Sequence, residues 1–267
     1  MNGPRPKLEL RGVSQTFSAA SGNGVSALAP LDLAIPEGKF VSIIGPSGCG
    51  KSTLFNIIAG LQTPTSGTVH LDGENVTRMI GLVGYMLQKD LLLPWRTVLD
   101  NVILGMEIKG ASRATARGRA RLYLQRYGLG GFDSHYPAAL SGGMRQRAAL
   151  LRTLLYDTEV VLLDEPFGAL DAQTRSLMQA WLLQLWADFG KTVVFVTHDV
   201  EEAVFLSDVI HVMTARPGRI KATLDVPLPR PRERHVLADR AFVDIKAKCI
   251  DLLMEEVREE SALEAAA

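Results

Sequence analysis

The feature of this sequence that most restricts its fold is a glycine-rich loop, residues 45–53, which reads GPSGCGKST. The five residues before it, 40–44, are mostly apolar and predict a buried strand. Residues 54–59 favour a helix that directly follows the loop, with Gly60 as its stop. A strand, a glycine loop and a helix in this order are typical of a phosphate-binding α/β unit.

The loop also has the residue spacing that binds the phosphates of a nucleotide. Gly45 and Gly50 frame four residues and precede Lys51 and Ser52, so that backbone N–H groups and a helix N-terminus can surround an anion. Lys51 would reach the β- and γ-phosphates, and the Ser52 hydroxyl would bind Mg²⁺. The candidate nucleotide contacts in the loop are Gly45, Pro46, Ser47, Gly48, Cys49, Gly50, Lys51, Ser52 and Thr53.

Two acidic residues follow a second apolar run. Asp164 and Glu165 come directly after residues 160–163, which are all Val or Leu and predict a buried strand. Beside the phosphate loop, Asp164 could hold Mg²⁺ through water, and Glu165 could orient and polarise an attacking water molecule. Taken alone, the pair could equally well solvate the end of the strand.

The order of predicted elements favours an α/β fold. Short apolar runs separated by turns predict strands and hairpins before the loop. Residues 97–139 predict an inserted helical subdomain, and residues 172–189 predict a helix between strands at 160–163 and 193–197. Strands that alternate with helices form parallel sheets covered on both faces.

Composition excludes several other classes of protein. Hydrophobic residues make up 47% of the chain and charged residues 22%, which is unlike disordered or collagenous chains. The 29 basic and 29 acidic residues balance, so no net field attracts nucleic acid or an anionic membrane. Two cysteines are too few for a disulfide framework and favour a reducing compartment. No apolar run approaches the roughly 18 residues that cross a bilayer.

Further motifs, in a fixed order along the chain, resemble those of ABC ATPases, the nucleotide-binding subunits of ABC transporters. Residues 140–147, LSGGMRQR, resemble the signature motif of that family. Gln88 resembles the Q-loop glutamine, and Asp171 resembles the D-loop aspartate. His198 resembles the switch histidine, and Phe17 resembles the aromatic residue that stacks on adenine.

The resemblance implies a fold and a division of the chain. The fold would be a P-loop NTPase core with a mostly parallel sheet, an N-terminal antiparallel β subdomain and an inserted α-helical subdomain. The ATPase domain would cover residues 7–225, with the helical subdomain at about 97–145. Residues 226–267 would form a linker and a C-terminal helix packed on the body, through an apolar stripe of Phe242, Ile245, Cys249, Leu253 and Val257.

The resemblance also assigns roles to residues. Two chains would bind ATP head to tail, the signature segment of one covering the γ-phosphate held by Lys51 of the other. The catalytic residues would be Glu165, His198, Gln88 and Lys51, and Mg²⁺ would be held by Ser52, Gln88 and Asp164. Outside the phosphate loop, the contacts to ATP would be Phe17, Gln88, Ser141, Gly142, Gly143, Asp171 and His198.

Within the family, the sequence resembles the nitrate, sulfonate and taurine importer branch. The resemblance lies in residues 91–102, residues 167–171 and the short tail around residues 228–232. It implies an ATP-hydrolysing subunit that works as a dimer on the cytoplasmic side of the cell membrane. A separate transmembrane permease would be its direct partner and a solute-binding protein an indirect one, and no nucleic acid is expected.

Other features keep more than one explanation. Residues 91–95, LLLPW, could be a docking groove for a partner helix or the core of the helical subdomain. Arg113, Arg117 and Arg121 lie at i, i+4 and i+8 with no acidic residue close by in sequence. This row would suit an ABC ATPase that acts on nucleic acid or ribosomes, or it is a solvated helix face. A small-molecule P-loop kinase would share the loop but would not need residues 140–143.

Three single residues also have ordinary explanations. Phe17 could be a core aromatic residue, His198 a histidine at a strand end and Gln88 a surface amide. The position of these side chains in the folded protein distinguishes the alternatives.

Overall fold

The computed structural model describes residues 6–18 and 24–266, with side chains described as far as residue 259. The strands in this part of the chain are β1 (Leu8–Phe17), β2 (Val25–Ile35), β3 (Phe40–Ile44), β4 (Ser66–Leu71), β5 (Glu74–Asn75), β6 (Val83–Met86), β7 (Val160–Asp164), β8 (Thr192–Val196), β9 (Val209–Met213) and β10 (Ile220–Asp225). The helices are α1 (Lys51–Ile58), α2 (Val98–Val102), α3 (Leu104–Ile108), α4 (Arg113–Arg126), α5 (Gly142–Leu154), α6 (Ala172–Phe189), α7 (Val200–Leu206) and α8 (Arg240–Ala266).

Six of the strands form a sheet that is parallel except at one edge. Its order is β10-β9-β3-β8-β7-β6, and β10 runs antiparallel to β9. The register pairs Ile43 with Val196 and with His211, so the carboxyl ends of β3, β8 and β9 lie at the same edge of the sheet. Ligands bind beyond the carboxyl ends of sheets of this kind. The predicted motifs must therefore meet at this edge to form one site.

The second sheet is antiparallel and contains the N-terminal strands, in the order β2-β1-β4-β5. Leu8, Leu10 and Val13 of β1 belong to the same buried cluster as Val41 and Ile43 of β3. The two sheets thus share a hydrophobic core. The predicted α/β class, with a mostly parallel sheet and an antiparallel N-terminal sheet, is confirmed.

Continuous apolar runs account for the central strands of the larger sheet. Every residue of β3, β7 and β8 is buried, which requires cover on both faces of the sheet. Phe40, Val161 and Phe195 face one hydrophobic cluster, whereas Val41 and Leu162 face the other.

Residues 97–154 contain four α-helices, of which α2, α4 and α5 begin at polar caps. The Thr97 hydroxyl accepts a hydrogen bond from the Asp100 backbone at 3.1 Å, which caps α2. The Ser112 hydroxyl accepts one from the Thr115 backbone at 3.2 Å and caps α4 in the same way. α4 packs inward through small or apolar side chains, Ala116, Ala120 and Leu124.

The row of arginines on α4 is neutralised by acids from other elements. Arg113 and Arg117 lie 3.2 and 2.8 Å from the Asp100 carboxylate, and Arg121 lies 3.2 Å from Asp133. Partial burial raises the pKa of Asp100, but hydrogen bonds from Arg117 and Arg113 outweigh this and lower the pKa overall. The row is therefore an ion-paired helix face rather than an open cationic surface.

Residues 91–95 divide between core and surface. Leu92 is buried, whereas Leu91 is 50% and Trp95 is 73% exposed. The Asn101 side chain is fully buried and holds the backbone of this segment by hydrogen bonds to Leu93. The core explanation holds for Leu92 but not for the exposed Leu91 and Trp95, for which docking of a partner helix stays a prediction.

The C-terminal helix α8 packs through most of the apolar stripe expected from sequence. Its buried or half-buried side chains include Phe242, Ile245, Cys249 and Leu253. The last position of the stripe is wrong: Val257 is 48% exposed, and Glu256 is buried instead. Within residues 6–18 and 24–266, no helix is long and apolar enough to cross a membrane.

Candidate functional site

The phosphate loop, residues 45–53, follows β3 and leads into α1 at the carboxyl edge of the large sheet. Gly50 has a φ of +104°, and a Cβ atom there would lie 2.9 Å from the backbone oxygen of Ala27. Both its conformation and its close backbone contact require glycine. The loop therefore lies tightly against β2.

Lys51 begins α1 with its side chain folded back over the loop. Its ammonium group donates to the backbone oxygens of Gly45 and Pro46, both at 2.8 Å. The side chain is 8% exposed, so a nearly buried cation is held beside the loop at the first residue of α1. A cation at the N-terminus of a helix favours the binding of an anion.

A cavity of about 420 Å³ opens over the phosphate loop. Besides loop residues that include Lys51 and Ser52, its lining contains Phe17, Val25, Ala27, Glu165 and Arg216. Phe17 is 44% exposed at the end of β1, so it is not a core aromatic residue. Cys49 is 1% exposed, and its thiol points into the protein. The cavity is thus lined by an aromatic ring, the phosphate loop and one carboxylate.

Asp164 lies at the end of β7 and is 6% exposed. Burial raises the pKa of its carboxyl group, and hydrogen bonds from Ser52 and Tyr85 only partly oppose this effect. Tyr85 donates to Asp164 at 3.5 Å, and its own pKa is raised, first by burial. A buried carboxylate beside a hydroxyl is a suitable set of oxygen ligands for a small divalent cation.

Glu165 is contacted by two of the other predicted residues. Its backbone has a φ of +44°, and its N–H donates to Val196 at 2.9 Å. Gln88 Nε2 donates to Glu165 Oε2 at 3.2 Å, and His198 Nδ1 lies 3.2 Å from the same oxygen. Because Gln88, Glu165 and His198 follow three different strands, the sheet brings together side chains that are up to 110 positions apart in sequence. Gln88 and His198 are therefore more than isolated surface side chains.

Buried polar groups support the turn that carries His198. The Thr197 hydroxyl donates to Glu202 at 2.6 Å and accepts from the Asp199 backbone at 3.0 Å. Gln179 donates to the other oxygen of Glu202 at 3.1 Å. Burial raises the pKa of Glu202. Sequence reasoning did not identify this network, because Glu202 looks like an ordinary first-turn acid of α7.

The signature segment lies away from the cavity of its own chain. Ser141 caps α5 by accepting from the Met144 backbone at 3.3 Å, and Gly142 and Gly143 form the first residues of the helix. A Cβ atom on Gly143 would lie 3.0 Å from Thr174, so α6 closely approaches the segment. Asp171 caps α6 by accepting from the Thr174 backbone at 2.9 Å. The structure thus brings Gln88, Asp164, Glu165 and His198 together at the phosphate loop, but not Ser141, Gly142, Gly143 or Asp171.

Arg216 is the charged cavity residue that sequence reasoning missed, beside the apolar Val25 and Ala27. It lies in the turn after β9, 165 positions beyond Lys51, and donates to the Gly48 backbone oxygen. An arginine between alanine and proline carries no local signal for nucleotide binding. Only the neighbouring position of β9 and β3 in the sheet brings it to the loop.

Comparison with known proteins identifies the family. The family model described as "ABC transporter" matches residues 28–168. An uncharacterized ABC transporter ATP-binding protein of Methanocaldococcus jannaschii is 47% identical over 251 residues, which are 94% of this chain and 92% of that protein. The chain belongs to the ABC transporter family. This ABC protein is also 40% identical over 243 residues to an aliphatic sulfonates import ATP-binding protein of Bacillus cereus, covering 91% of this chain and 94% of that one.

A further relative and a solved structure give the same assignment. A nitrate import ATP-binding protein of Synechocystis is 43% identical to this ABC protein over 226 residues, or 85% of each chain. A dimeric, post-hydrolysis structure of an ATP-binding cassette bound to ADP and Pi has a TM-score of 0.72 and 34% identity. That match covers 83% of this chain and all of the other. The resemblance to the nitrate, sulfonate and taurine importer branch is confirmed.

Proposed function

We propose that this chain is the ATP-binding and ATP-hydrolysing subunit of an importer, of the kind that takes up nitrate, sulfonates or taurine. The observation that carries the proposal is the meeting of Gln88 and His198 at one oxygen of Glu165, beside the phosphate-loop cavity. A phosphate-binding loop alone would suit a kinase as well. A carboxylate held by two polar side chains near that loop suits activation of water.

The proposed chemistry is attack of water on the γ-phosphate of ATP. The phosphate loop and Lys51 bind the β- and γ-phosphates through backbone N–H groups and one cation. Glu165 accepts a proton from the attacking water, while His198 contacts the γ-phosphate and Gln88 helps to hold the water. Phe17 stacks on the adenine ring. The bond from the γ-phosphorus to ADP breaks, and ADP and Pi leave.

Mg²⁺ fits the side chains present at this site. Ser52, Gln88 and Asp164 offer a hydroxyl, an amide oxygen and a carboxylate, the hard oxygen ligands that Mg²⁺ requires. Phosphate oxygens and water would complete the coordination of the ion. When bound, the ion supplies charge neutralisation on the phosphates.

The proposed assembly is a head-to-tail dimer bound to a permease at the cytoplasmic face of the membrane. Ser141, Gly142, Gly143 and Asp171 lie outside their own cavity, which suits contact with ATP held by a second copy. Leu91 and Trp95 are exposed apolar side chains in the segment that follows Gln88 in sequence, and we assign this segment to the permease. A solute-binding protein acts on the permease and not on this chain.

The alternative, an ABC ATPase acting on nucleic acid or ribosomes, has less support. The only sequence feature that favoured it was the arginine row on α4, and each of those arginines is paired with Asp100 or Asp133. We therefore expect added DNA or RNA to leave the ATPase rate unchanged. A several-fold stimulation by either polymer would favour the alternative.

The decisive test is the substitution Glu165→Gln, which keeps the shape of the side chain and removes its basicity. Steady-state turnover should fall by ~10²- to 10⁴-fold, about 3 to 5 kcal/mol of barrier, because no group accepts the proton of water. ATP binding should be retained, and an ATP-bound dimer should accumulate in size-exclusion chromatography.

The matched control is Glu74→Gln, which changes an exposed glutamate of β5 outside the cavity. This variant should hydrolyse ATP at the wild-type rate. Turnover close to wild type in Glu165→Gln would remove Glu165 from the mechanism and with it the proposed function of the site.

A further inference from the structure

The turn between β9 and β10, residues 214–219, lies between the phosphate loop and the C-terminal helix. It is closed by two hydrogen bonds, from Thr214 N to Arg219 O at 3.0 Å and from Arg219 N to the Thr214 hydroxyl at 3.1 Å. One side of this 214–219 turn faces the nucleotide cavity, and the other side faces α8. The turn is therefore in a position to connect the two.

Arg216 connects the turn to the centre of the phosphate loop. Its Nε and Nη2 atoms both donate to the backbone oxygen of Gly48, each at 3.1 Å. Because peptide units are planar, fixing this oxygen also fixes the N–H of Cys49 within the loop. Gly48 has a φ of +78°, a left-handed conformation that glycine adopts readily.

Gly218 presses the same turn against the backbone of the loop and of β2. A Cβ atom at Gly218 would lie 2.0 Å from the Cys49 backbone oxygen, so no other residue fits without a shift. Gly218 N donates to Ala27 O at 2.9 Å, and Ala29 N donates to Gly218 O at 3.0 Å. A displacement of the turn would therefore disturb both the phosphate loop and β2, which line the cavity.

Glu256 connects the opposite side of the turn to α8. Its carboxylate accepts a hydrogen bond from Ala215 N at 2.9 Å and lies 2.6 Å from Lys221 Nζ. Glu256 is 5% exposed, so its contacts are made inside the protein. The hydrogen bond to Glu256 is the first cause of a raised pKa of Lys221. Glu256 of α8 is thus hydrogen-bonded to Ala215, the residue directly before the arginine that holds the loop.

We propose that Arg216 is a positioning residue for the phosphate loop, and that α8 sets the affinity for ATP by holding the 214–219 turn through Glu256. This inference rests on the proposed function, since it takes ATP as the ligand of the loop. The hydrogen bonds of the Arg216 side chain, within the part of the chain that the structure describes, go to Gly48 alone. Because Arg216 does not contact Glu165 or His198, its loss should weaken binding and leave the chemical step intact.

The test measures the Kd for ATP by titration calorimetry and kcat at saturating ATP on full-length variants. Arg216→Ala should raise the Kd about tenfold, as expected for hydrogen bonds from a charged donor, with kcat within about twofold of wild type. Arg216→Lys should recover little of this loss, because an ammonium group does not reproduce the two-donor fork. A wild-type Kd in Arg216→Lys would mean that charge alone matters, and it would overturn the positioning role.

The α8 half of the proposal has a matched pair of substitutions. Glu256→Ala should raise the Kd roughly three- to tenfold. Glu255→Ala should not, although Glu255 is the neighbouring residue and also pairs with Lys221, at 3.0 Å. Glu256→Gln retains the side-chain volume and one acceptor oxygen, and it should show a smaller loss in the same direction. This milder variant provides the test if Glu256→Ala does not fold.

A double variant tests the connection between the two residues. If Glu256 acts through Arg216, the Kd of Arg216→Ala/Glu256→Ala should equal that of Arg216→Ala within about twofold. Multiplied losses would overturn the connection, and a wild-type Kd in either single variant would overturn the half of the proposal that it tests. Failure of the wild-type protein to bind ATP would instead refute the proposed function.

Discussion

Asp164 and Glu165 are neighbours in sequence but have different surroundings. Asp164 ends β7 inside the protein, whereas Glu165 adopts a left-handed backbone conformation and lines the cavity. Burial raises the pKa of Asp164, while the hydroxyl groups of Ser52 and Tyr85 lower it by a smaller amount. The same position that suits Asp164 to hold a cation makes its charge unfavourable in the free protein.

We expect Asp164→Asn to stabilise the nucleotide-free protein at neutral pH while lowering turnover by at least ~10²-fold. The folded-state pKa of Asp164 exceeds the usual 3.8, so the folded protein binds this proton more tightly than the unfolded chain. As the pH rises from 3.8 through the raised pKa, the wild-type protein therefore becomes less stable relative to Asp164→Asn. Thermal melting without nucleotide, recorded between pH 4 and 8, measures the effect.

Asp239→Asn provides the control, since Asp239 is an exposed aspartate that precedes α8. Its melting temperature at neutral pH should stay close to that of wild type, because asparagine begins a helix about as well as aspartate. A lower melting temperature for Asp164→Asn at neutral pH would contradict the predicted sign.

At this scale, sequence pointed to residues that belong to recognisable motifs and missed Arg216, which belongs to none. Asp164 and Glu165 could be found because they follow a strand of Val and Leu. Arg216 could not be found, because its contact with Gly48 spans 168 positions and depends on the order of strands in the sheet.

Among the elements, the segment between β10 and α8 depends on one buried arginine. The Arg232 guanidinium donates to the backbone oxygens of Val204, Phe205, Ser207, Val226 and Leu228. It thereby provides donors for the free carbonyl groups at the end of α7 and attaches the linker to the body. Burial lowers the pKa of Arg232 to about 10, which leaves the group charged at neutral pH.

We expect Arg232→Ala to destabilise the protein by about 3 kcal/mol, because it leaves several buried carbonyl oxygens without a donor. Urea unfolding followed by circular dichroism measures the change. Arg234→Ala, two residues further on and exposed, should alter stability by less than about 0.5 kcal/mol. Equal effects of the two substitutions would show that the buried hydrogen bonds contribute little.

Sequence patterns predicted the helices and strands well. α6 extends from Ala172 to Phe189, the two residues between which its helical pattern lies. The stripe on α8 failed only at its end, where a hydrophobic pattern cannot anticipate that Glu256 is buried by pairing with Lys221. Similarly, the arginines of α4 have no acidic residues close by in sequence, yet they form ion pairs with Asp100 and Asp133 in the folded helical region.

Under the proposed function, the whole molecule presents two partial nucleotide sites rather than one complete site. The phosphate loop with Glu165 forms one surface, and Ser141 with its two glycines forms another at the start of α5. Two copies placed head to tail would complete both sites at once. In this arrangement ATP belongs to the interface, and its hydrolysis would weaken the dimer.

We expect Ser141→Arg to prevent the ATP-dependent dimer while leaving ATP binding by the monomer within about threefold of wild type. Arginine would place a bulky side chain where the signature segment must approach the γ-phosphate held by the second copy. Light scattering with ATP in a Glu165→Gln background measures the dimer, and calorimetry measures binding. Ser112→Arg, at the exposed cap of α4, is the control for a new arginine at a helix start. A normal dimer in Ser141→Arg would refute the shared site.

The exposure of Trp95 gives the molecule an intrinsic optical reporter. The chain has three tryptophans, of which Trp181 and Trp186 pack against the hydrophobic core, whereas Trp95 is 73% exposed. Indole emission depends on solvent polarity, so the red edge of the fluorescence spectrum comes mainly from Trp95. If the permease covers Trp95, as proposed, binding in a detergent micelle or nanodisc would shift this emission to shorter wavelengths without any attached dye.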